Sequence, residues 1–311
     1  MSCTSASPRK VIAVALAVGR QTLPDHPHRC APRKFTQPQL FACLVLKVFE
    51  GWDYRTTEQH LRDLPGLCDM LGLAHVPDHS TLHKAAQRFF GAAISERLLA
   101  TSVRLTLRRP RQRRLIQCAA VDGTGLESSH RSPYYVARCA KGQKNIRNPR
   151  IQTTSYTRFP KLTLLVDCAT HLILAFLTGR GPKPDINELA PLLARLPEGL
   201  ILRKLLGDPG LDSEANHVLA REEHGIPLLT PAKHGRPRQD GGPPTGFYRR
   251  RMHHQLRTRR QRRRRGYTQR AQIETVNSML KRNLTDALTS RGYHAQNREM
   301  RWLALTHNIM V

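Results

Sequence analysis

The sequence predicts an α/β protein in which a small all-helical N-terminal domain precedes a mixed-sheet domain. Two observations predict this class. Before residue 110, apolar residues recur at helical spacing between capping residues, glycines and prolines. After residue 115, they gather instead into short runs typical of strands, and helical segments alternate with those runs. A chain of 311 residues is long enough for two such domains.

The first segment, residues 1–34, is rich in Pro, Ser, His and Arg. This composition predicts a poorly ordered arm. Within it, the apolar stretch 11–18 follows Arg9 and Lys10, as the apolar part of a signal peptide follows basic residues. The stretch is short and no convincing small-residue cleavage site follows it, so an ordinary buried segment is favoured.

Four short helices are expected in residues 35–110. Thr36 caps the first helix, and Pro38 lies in its first turn. The expected helix starts are Thr36, Thr56 or Thr57, Leu67 and Pro77. Short helices with tight turns are typical of helix-turn-helix modules, so these residues are a candidate DNA-binding domain. A helical bundle that only packs on its neighbour fits equally well, and nothing identifies a recognition helix.

The second domain, residues 115–311, follows a basic join at 104–114 in which we place the domain boundary. Its expected strands are 115–121, 161–166, 172–177, 200–207 and 226–230. The second and third strands are separated by a short turn and predict a hairpin. Helices are expected from Asp185 and Ser213. Three strands, helix, strand, helix, strand and helix is the element order of an RNase H-like fold.

The charge balance points to a polyanionic partner. Lys and Arg number 51 against 23 Asp and Glu, which gives a formal net charge of +28. Such an excess destabilises the compact state by self-repulsion unless a polyanion neutralises it. Nucleic acid is the expected partner. An anionic membrane is the weaker option and is not the expected partner, since no segment approaches the roughly 20 apolar residues that span a bilayer.

The seven cysteines are scattered, with no CxxC pair and no zinc-ligand spacing. An odd number of scattered thiols in so basic a chain is typical of a reducing compartment. The expected location is therefore the cytoplasm.

Four polar residues near the C-terminus share one narrow stripe of an expected helix. They are Tyr267, Arg270, Glu274 and Lys281. At about 100° per residue, all four lie inside an arc of about 60°, and apolar residues occupy the other side. A carboxylate aligned with two cations suits a metal and a phosphate. An exposed helix with solvated charges has the same spacing. The metal-site interpretation therefore depends on finding further carboxylates elsewhere in the sequence that could join Glu274.

Two aspartates supply those partners. Asp122 and Asp208 each lie at the C-terminal end of an expected strand, where a ligand crevice forms in an open α/β sheet. With Glu274 they offer the oxygen ligands that Mg²⁺ prefers. Two such ions can activate an attacking oxygen and stabilise the leaving oxygen at a phosphodiester. The rival carboxylates, for which hairpin-turn or helix-cap roles are favoured, are Asp167, Asp185 and Asp212.

A basic insert at residues 233–266 directly precedes the polar stripe. Residues 249–265 hold ten arginines in seventeen positions. Charge runs are commonly solvated tails. Its position beside the candidate site favours contact with nucleic-acid phosphates instead. The candidate contacts in this run are Arg262, Arg263, Arg264 and Arg265.

The spacing Tyr-x2-Arg-x3-Glu-x6-Lys resembles the signature of bacterial insertion-sequence transposases of the DDE type, the transposase DDE domain family. Residues 121–124 look like the strand end that carries the family's first aspartate. Residues 207–213 look like the second, although many relatives carry Tyr where this chain has Leu211. Residues 274–282, 298–300 and 306–309 also resemble segments of the family. In all, the resemblance covers residues 115–311. Residues 76–82 are similar, more weakly, to the family's helical domain.

The resemblance implies an RNase H-like catalytic domain in which Asp122, Asp208 and Glu274 hold two Mg²⁺ ions, with Mn²⁺ as a substitute. Arg270 and Lys281 would contact DNA phosphates near the transposon end, with Tyr267 packing or hydrogen-bonding beside them. It also implies cut-and-paste transposition, in which hydrolysis at the element's end leaves a 3′-hydroxyl that attacks target DNA.

The implied partners are double-stranded DNA, as terminal inverted repeats and as target, and a second copy of the chain in the DNA complex. No small-molecule substrate is expected. Two alternatives remain: a domesticated metal-dependent nuclease, and a basic DNA-binding or ribosome-associated protein without catalysis. The second accounts for the charge equally well. The paired strand-end carboxylates count against it, because a basic binding protein has no need of them.

Overall fold

The structure is a computed structural model that describes residues 4–89, 91–107, 115–128, 158–232 and 244–311. It is a mixed α/β arrangement, with helices over the N-terminal third and a five-stranded mixed sheet after them. Most of the expected basic join, residues 108–114, lies outside the described residues, as does the first part of the insert, 233–243.

The N-terminal segment contains a well-packed helix. Helix α1 spans Pro8–Thr22 and buries Val11, Ile12, Ala15, Leu16 and Val18. It packs closely on the next helix, since a Cβ added at Gly19 would lie 3.0 Å from the Cα atom of Pro38. The sequence predicted a poorly ordered arm over residues 1–34 apart from the stretch 11–18. That expectation is wrong for residues 8–10 and 19–22, which belong to the same helix. Apolar spacing that suits a helix outweighs the polar composition around it. One side of the segment 11–18 is buried, whereas Ala13 and Val14 are exposed.

Five further helices follow before residue 107. They are α2 Gln37–Phe49, α3 Tyr54–Asp63, α4 Pro65–Leu71, α5 His79–Phe89 and α6 Ala92–Thr106. A capping box between Thr36 and Gln39 opens α2 where the sequence predicts it. Helix α3 begins earlier than expected because Asp53, not a threonine, caps it. Helix α6 was not predicted.

The sheet has the order β5-β4-β2-β7-β8. Strand β4 (Phe159–Asp167) pairs antiparallel with β2 (Ala119–Gly125) and with β5 (Ile173–Gly181), which confirms the expected hairpin. Strand β7 (Leu205–Gly207) runs parallel to both β2 and β8 (Leu228–Leu229). Two short parallel pairs complete the pairing: β1 Leu115–Ile116 with β6 Ile201–Leu202, and β3 Glu127–Ser128 with β9 Ala287–Leu288.

Six helices follow β3 in the residues that the structure describes: α7 Leu189–Leu193, α8 Glu214–Val218, α9 Phe247–Gln255, α10 Arg259–Arg264, α11 Ala271–Asn283 and α12 Tyr293–Met310. Residues of α9, α11 and α12 pack in one core cluster with the sheet, and residues of α7 pack in another. Helix α8 continues as a π turn over Leu219–Glu223. None of the helices in the described part of the chain has the length and apolar character needed to cross a membrane.

Helix α12 joins the N-terminal helices to the sheet. Its Trp302 stacks on Phe41 of α2, with ring centroids 5.9 Å apart. On the same helix, Leu303 and Ala304 belong to the core beneath the sheet. The N-terminal helices and the sheet therefore share one packing element.

Candidate active site

The parallel pairing of β2 and β7 brings two carboxylates together. Val121 pairs with Gly207 in this register, so the residues that follow them, Asp122 and Asp208, lie side by side. Neighbouring strands are about 4.8 Å apart, which places both side chains in one crevice. Asp122 lies inside β2 rather than at its end, because β2 continues to Gly125 against β4. Asp208 follows β7 and caps the turn after it, accepting a 2.9 Å hydrogen bond from the Gly210 amide.

The electrostatic surroundings disfavour the charged form of Asp122. Burial is the largest cause and raises its pKa to about 6, against the opposing effect of the nearby Arg270 guanidinium. The carboxylates of Asp208 and Asp185 raise this pKa further. Like charges thus converge on one point, and a bound cation would relieve their repulsion.

Asp185 is a third carboxylate in this crevice, so the helix-cap role favoured from the sequence is wrong. Its side chain forms an ion pair with Lys161. A Cβ added at Gly210 would lie 3.3 Å from Asp185 Oδ2 and 3.0 Å from Asp208 Oδ1. A sequence signal for this contact exists: Lys161 lies in an apolar strand, and a buried lysine needs an acidic partner.

Lys161 is almost fully buried and has two acidic partners. Its ammonium also lies 3.0 Å from Glu188 Oε2. Burial alone would lower the pKa of Lys161, but hydrogen bonds to Asp185 and Glu188 raise it overall. The lysine therefore stays charged and holds the turn that carries Asp185 against the sheet.

The two other rival carboxylates lie in different surroundings. Asp167 accepts hydrogen bonds from the Ala169 amide at 3.1 Å and the Thr170 hydroxyl at 2.6 Å, which confirms its hairpin-turn role. Asp212 is buried and forms a 2.8 Å ion pair with Arg249 of α9. That pairing, rather than a helix cap, is the observed role of Asp212.

Glu274 lies in the first turn of α11 and reaches Asp122 only through Arg270. The Arg270 Nη2 donates a 2.7 Å hydrogen bond to Glu274 Oε1, while Nη1 lies 4.0 Å from Asp122 Oδ2. The Glu274 side chain is 59% exposed. Arg270 therefore occupies a position between the two carboxylates.

The predicted polar stripe is interrupted at its beginning. Gly266, with a φ of 70°, turns the chain into a 3₁₀ turn over Tyr267–Arg270, and α11 starts only at Ala271. Tyr267 is buried in the core and is not on an exposed polar face. Its hydroxyl donates a 2.9 Å hydrogen bond to the Gly207 carbonyl oxygen. Burial, the largest cause, raises the pKa of Tyr267 to about 12, so the hydroxyl keeps its proton.

Asn277 is a site residue that the sequence reasoning missed. It follows Glu274 by three positions, so both side chains lie on one face of α11. Its Nδ2 donates a 3.3 Å hydrogen bond to Asp122 Oδ2. Its Oδ1 is buried and has no hydrogen-bond partner in the described ranges. An unpaired amide oxygen beside an aspartate is a suitable cation ligand.

The oxygen atoms in the crevice fit a hard divalent cation. Asp122 and Asp208 converge, and Asn277, whose Nδ2 donates to Asp122, has an amide oxygen without a hydrogen-bond partner in the described ranges. As they stand, however, no three His, Cys, Asp or Glu side chains among the described residues are grouped so that they could hold a metal ion. Glu274 would have to release Arg270 to join the two aspartates.

The remaining predicted DNA-contact residues lie on α10 and α11. Lys281 is half-buried, two turns beyond Glu274, and makes no hydrogen bond or ion pair within the described part of the chain. Arg262 donates a 2.8 Å hydrogen bond to the Leu256 carbonyl oxygen. Arg263, Arg264 and Arg265 are exposed at the end of α10.

Residues 113–309 match the family model described as the transposase DDE domain. No curated protein matches the chain significantly. Among solved structures, the chain is similar to the cryo-EM structure of the piggyBac transposase synaptic complex with hairpin DNA. The identity is 11% and the TM-score 0.44, over 99% of this chain and 73% of that chain. It is also similar to the crystal structure of the Mos1 strand transfer complex, at 11% identity and a TM-score of 0.29, over 91% and 77% of the two chains. Because the family model covers more than half of the sequence, the chain belongs to the transposase DDE domain family.

Proposed function

We propose that this protein is a DNA transposase that breaks and joins phosphodiester bonds at the crevice between β2 and β7. One observation carries the proposal: the pairing of Val121 with Gly207 sets Asp122 and Asp208 side by side. Arg270 links this pair to Glu274. Membership of the family supports transposition as the biological process.

Asp122, Asp208 and Glu274 are the proposed ligands of two Mg²⁺ ions, with Mn²⁺ as a substitute. Bound there, the ions would supply activation of the attacking oxygen and charge neutralisation of the leaving oxygen. Asn277 holds the Asp122 carboxylate by its amide hydrogen bond. Arg270 neutralises the carboxylates in the absence of a metal. If Glu274 were a ligand of the metal, the Arg270 guanidinium would be free to bind a DNA phosphate through two parallel hydrogen bonds.

Arg270, Lys281 and the arginines Arg262–Arg265 form the proposed DNA surface. The net charge of +28 supports a long phosphate contact. Replacing Arg262 to Arg265 by glutamine is expected to weaken DNA binding. It should also flatten the salt dependence by roughly one unit of slope for each lost phosphate contact. If the salt dependence of DNA affinity were unchanged, these arginines would be solvated surface residues that do not contact DNA phosphates.

The proposal includes an RNase H-like catalytic domain and DNA binding by the helical domain 35–110. The resemblance supports a bacterial insertion sequence as substrate, cut-and-paste excision and a homodimer on the paired DNA ends. The scattered cysteines support a cytoplasmic location. The sheet order β5-β4-β2-β7-β8, with α11 packed beside β2, supports the catalytic-domain part.

The decisive experiment measures end cleavage and strand transfer with Mg²⁺ on DNA carrying the element's ends. Asp122→Asn and Glu274→Gln should each lose more than about a hundredfold in cleavage rate, because even outer partners of metal ligands are worth 10- to 100-fold. Asp69→Asn, an exposed acid on α4, is the matched control and should cleave like the wild type.

The outcomes separate the alternatives. Cleavage by both site variants at the wild-type rate would overturn the metal-site assignment. Cleavage without strand transfer in the wild type would identify the domesticated nuclease. Tight DNA binding with neither reaction would leave the non-catalytic binding protein.

A further inference from the structure

A second cavity lies at the opposite end of the parallel strands. It has a volume of about 710 Å³, and residues that precede three strands line it: Cys118 before β2, Lys204 before β7 and Pro227 before β8. Lys204 comes four residues before Asp208. At about 3.3 Å per residue, the cavity is therefore about 13 Å from the carboxylate crevice along the strand. The two sites are separate.

The cavity has a strongly positive lining. Its five cationic side chains are Arg203, Lys204, Arg221, Arg251 and Arg265. Among the described residues that line it, none is acidic. None of the five forms an ion pair with an acidic side chain within the described ranges, although the protein has acidic partners for Arg249 and Arg270. The positive charge here is therefore uncompensated, and an anion would neutralise it.

The charged form of Arg221 is disfavoured by its surroundings in this cavity. Burial lowers the pKa of its guanidinium, and repulsion from Arg251 lowers it further. The guanidinium is nonetheless fixed: Nη2 donates a 2.6 Å hydrogen bond to the Leu228 carbonyl oxygen, and the Cζ atom lies 5.2 Å from the centre of the Tyr248 ring. Its Nε is buried and has no hydrogen-bond partner in the described ranges.

Lys204 lies against the insert. A Cβ added at Gly266 would lie 2.9 Å from Lys204 Nζ, so the ammonium packs directly on the backbone between α10 and the 3₁₀ turn. Arg265, the residue before this glycine, also lines the cavity. The sheet and the insert thus contribute cations to the same open cavity.

We propose that this cavity is a second phosphate-binding site, distinct from the carboxylate crevice, which takes a short run of closely spaced phosphates. Its volume lies within the usual range for ligand pockets, roughly 300–1,000 Å³. Guanidinium groups bind phosphate oxygens through paired hydrogen bonds, which suits a ligand with several oxygens. The phosphates belong either to a DNA backbone or to a free oligophosphate. Phosphate binding in this cavity requires neither a metal ion nor the proposed catalytic residues Asp122, Asp208 and Glu274, none of which lines it.

The test uses the full chain in buffer with EDTA and inorganic tripolyphosphate as the probe, measured by isothermal titration calorimetry. Saturable binding is expected at one site. Arg251→Gln should weaken it about tenfold, as loss of a charge-assisted contact does. The matched control is Arg250→Gln, the preceding arginine on α9, which is exposed and does not line the cavity. Lys204→Gln is a second lining variant.

A labelled DNA duplex separates the two sources of phosphate. If tripolyphosphate displaces the duplex and Arg251→Gln weakens both ligands, the cavity takes a DNA backbone. If only tripolyphosphate responds to Arg251→Gln, the cavity takes a free oligophosphate. Either result supports the site.

Equal weakening by Arg250→Gln and Arg251→Gln, or no saturable binding of either probe, would overturn the proposal. Asp122→Asn should bind tripolyphosphate like the wild type. Failure of the catalytic assignment is therefore distinguishable from failure of this one.

Discussion

The Tyr267 hydroxyl donates a 2.9 Å hydrogen bond to the carbonyl oxygen of Gly207, the residue immediately before Asp208. This bond ties the turn that opens α11 to the end of β7. The helix that carries Glu274 is thereby fixed relative to the strand end that carries Asp208. The first residue of the Tyr-Arg-Glu-Lys spacing has a physical role: it sets the distance between two elements of the candidate site.

Tyr267→Phe should destabilise the protein by about 1–3 kcal/mol, since it leaves the buried Gly207 carbonyl oxygen without its donor. Urea unfolding measures this change. Tyr248→Phe is the matched control, because the Tyr248 hydroxyl bonds Glu222 at the exposed surface. The control should change stability little. Equal effects of the two variants would show that the Tyr267 bond does not hold the site.

Local signals in the sequence predicted the parts of the site that depend on local structure. Asp122 and Asp208 follow apolar runs and precede glycine-containing segments, and those patterns are sufficient to associate each of them with a strand. The partner of Tyr267 is 60 residues away, and the partner of Asp185 is 24 residues away. No periodicity encodes such pairings, because they depend on how the strands are ordered in the sheet.

The structure of the N-terminal segment also depends on contacts with residues distant in sequence, which is why its order was underestimated. Composition predicted a disordered arm over residues 1–34. Helix α1 is stable because it buries its apolar side against α2, a surface that exists only in the folded protein. Helix α12 packs on both the N-terminal helices and the sheet. The sequence did not predict this, because these contacts also form only in the folded protein.

Arg270→Gln should raise the pKa of Asp122 further above 6, since the Arg270 guanidinium is the main group that lowers it. Titration of the Asp122 carboxyl carbon by NMR, in EDTA, measures this directly. Arg282→Gln, an exposed arginine on the same helix, is the control and should leave the titration unchanged. An unchanged Asp122 titration in Arg270→Gln would place the guanidinium outside the crevice in solution.

Asp122→Asn should stabilise the metal-free protein at neutral pH. The pKa of Asp122 is raised from 3.8 to about 6, so the folded state holds the proton more tightly than the unfolded state. Ionisation therefore costs stability, and the cost grows from pH 3.8 to about 6 and is complete above that. At about 1.4 kcal/mol per pKa unit, the gain above pH 6 is on the order of 1–3 kcal/mol.

Thermal unfolding in EDTA at several pH values tests this sign. The variant should unfold at a higher temperature than the wild type at pH 7.5, and at the same temperature near pH 3.5. A variant that is less stable than the wild type at pH 7.5 would mean that Asp122 is stabilised, not strained, by its surroundings.

Asn308 completes the edge of the sheet from α12. Strand β5 is an edge strand of the five-stranded sheet. The Asn308 side chain forms hydrogen bonds with both the amide and the carbonyl oxygen of Ile173, the first residue of β5. Its Oδ1 accepts a 2.8 Å hydrogen bond from the Ile173 amide, and its Nδ2 donates one of 2.8 Å to the Ile173 carbonyl oxygen. The same Nδ2 lies 3.2 Å from the Ser102 hydroxyl of α6. One side chain thus joins three elements.

Asn308→Leu should destabilise the protein by at least about 3 kcal/mol, because it leaves both backbone groups of Ile173 buried and unpaired. Thr306→Val on the same helix is the control. The Thr306 hydroxyl is fully buried and has no hydrogen-bond partner within the described ranges, so its replacement by a methyl group should be neutral or stabilising. Urea unfolding of both variants measures the contrast. If Thr306→Val were the more damaging change, the hydroxyl would have a partner in solution and the Asn308 contacts would be weaker than their geometry indicates.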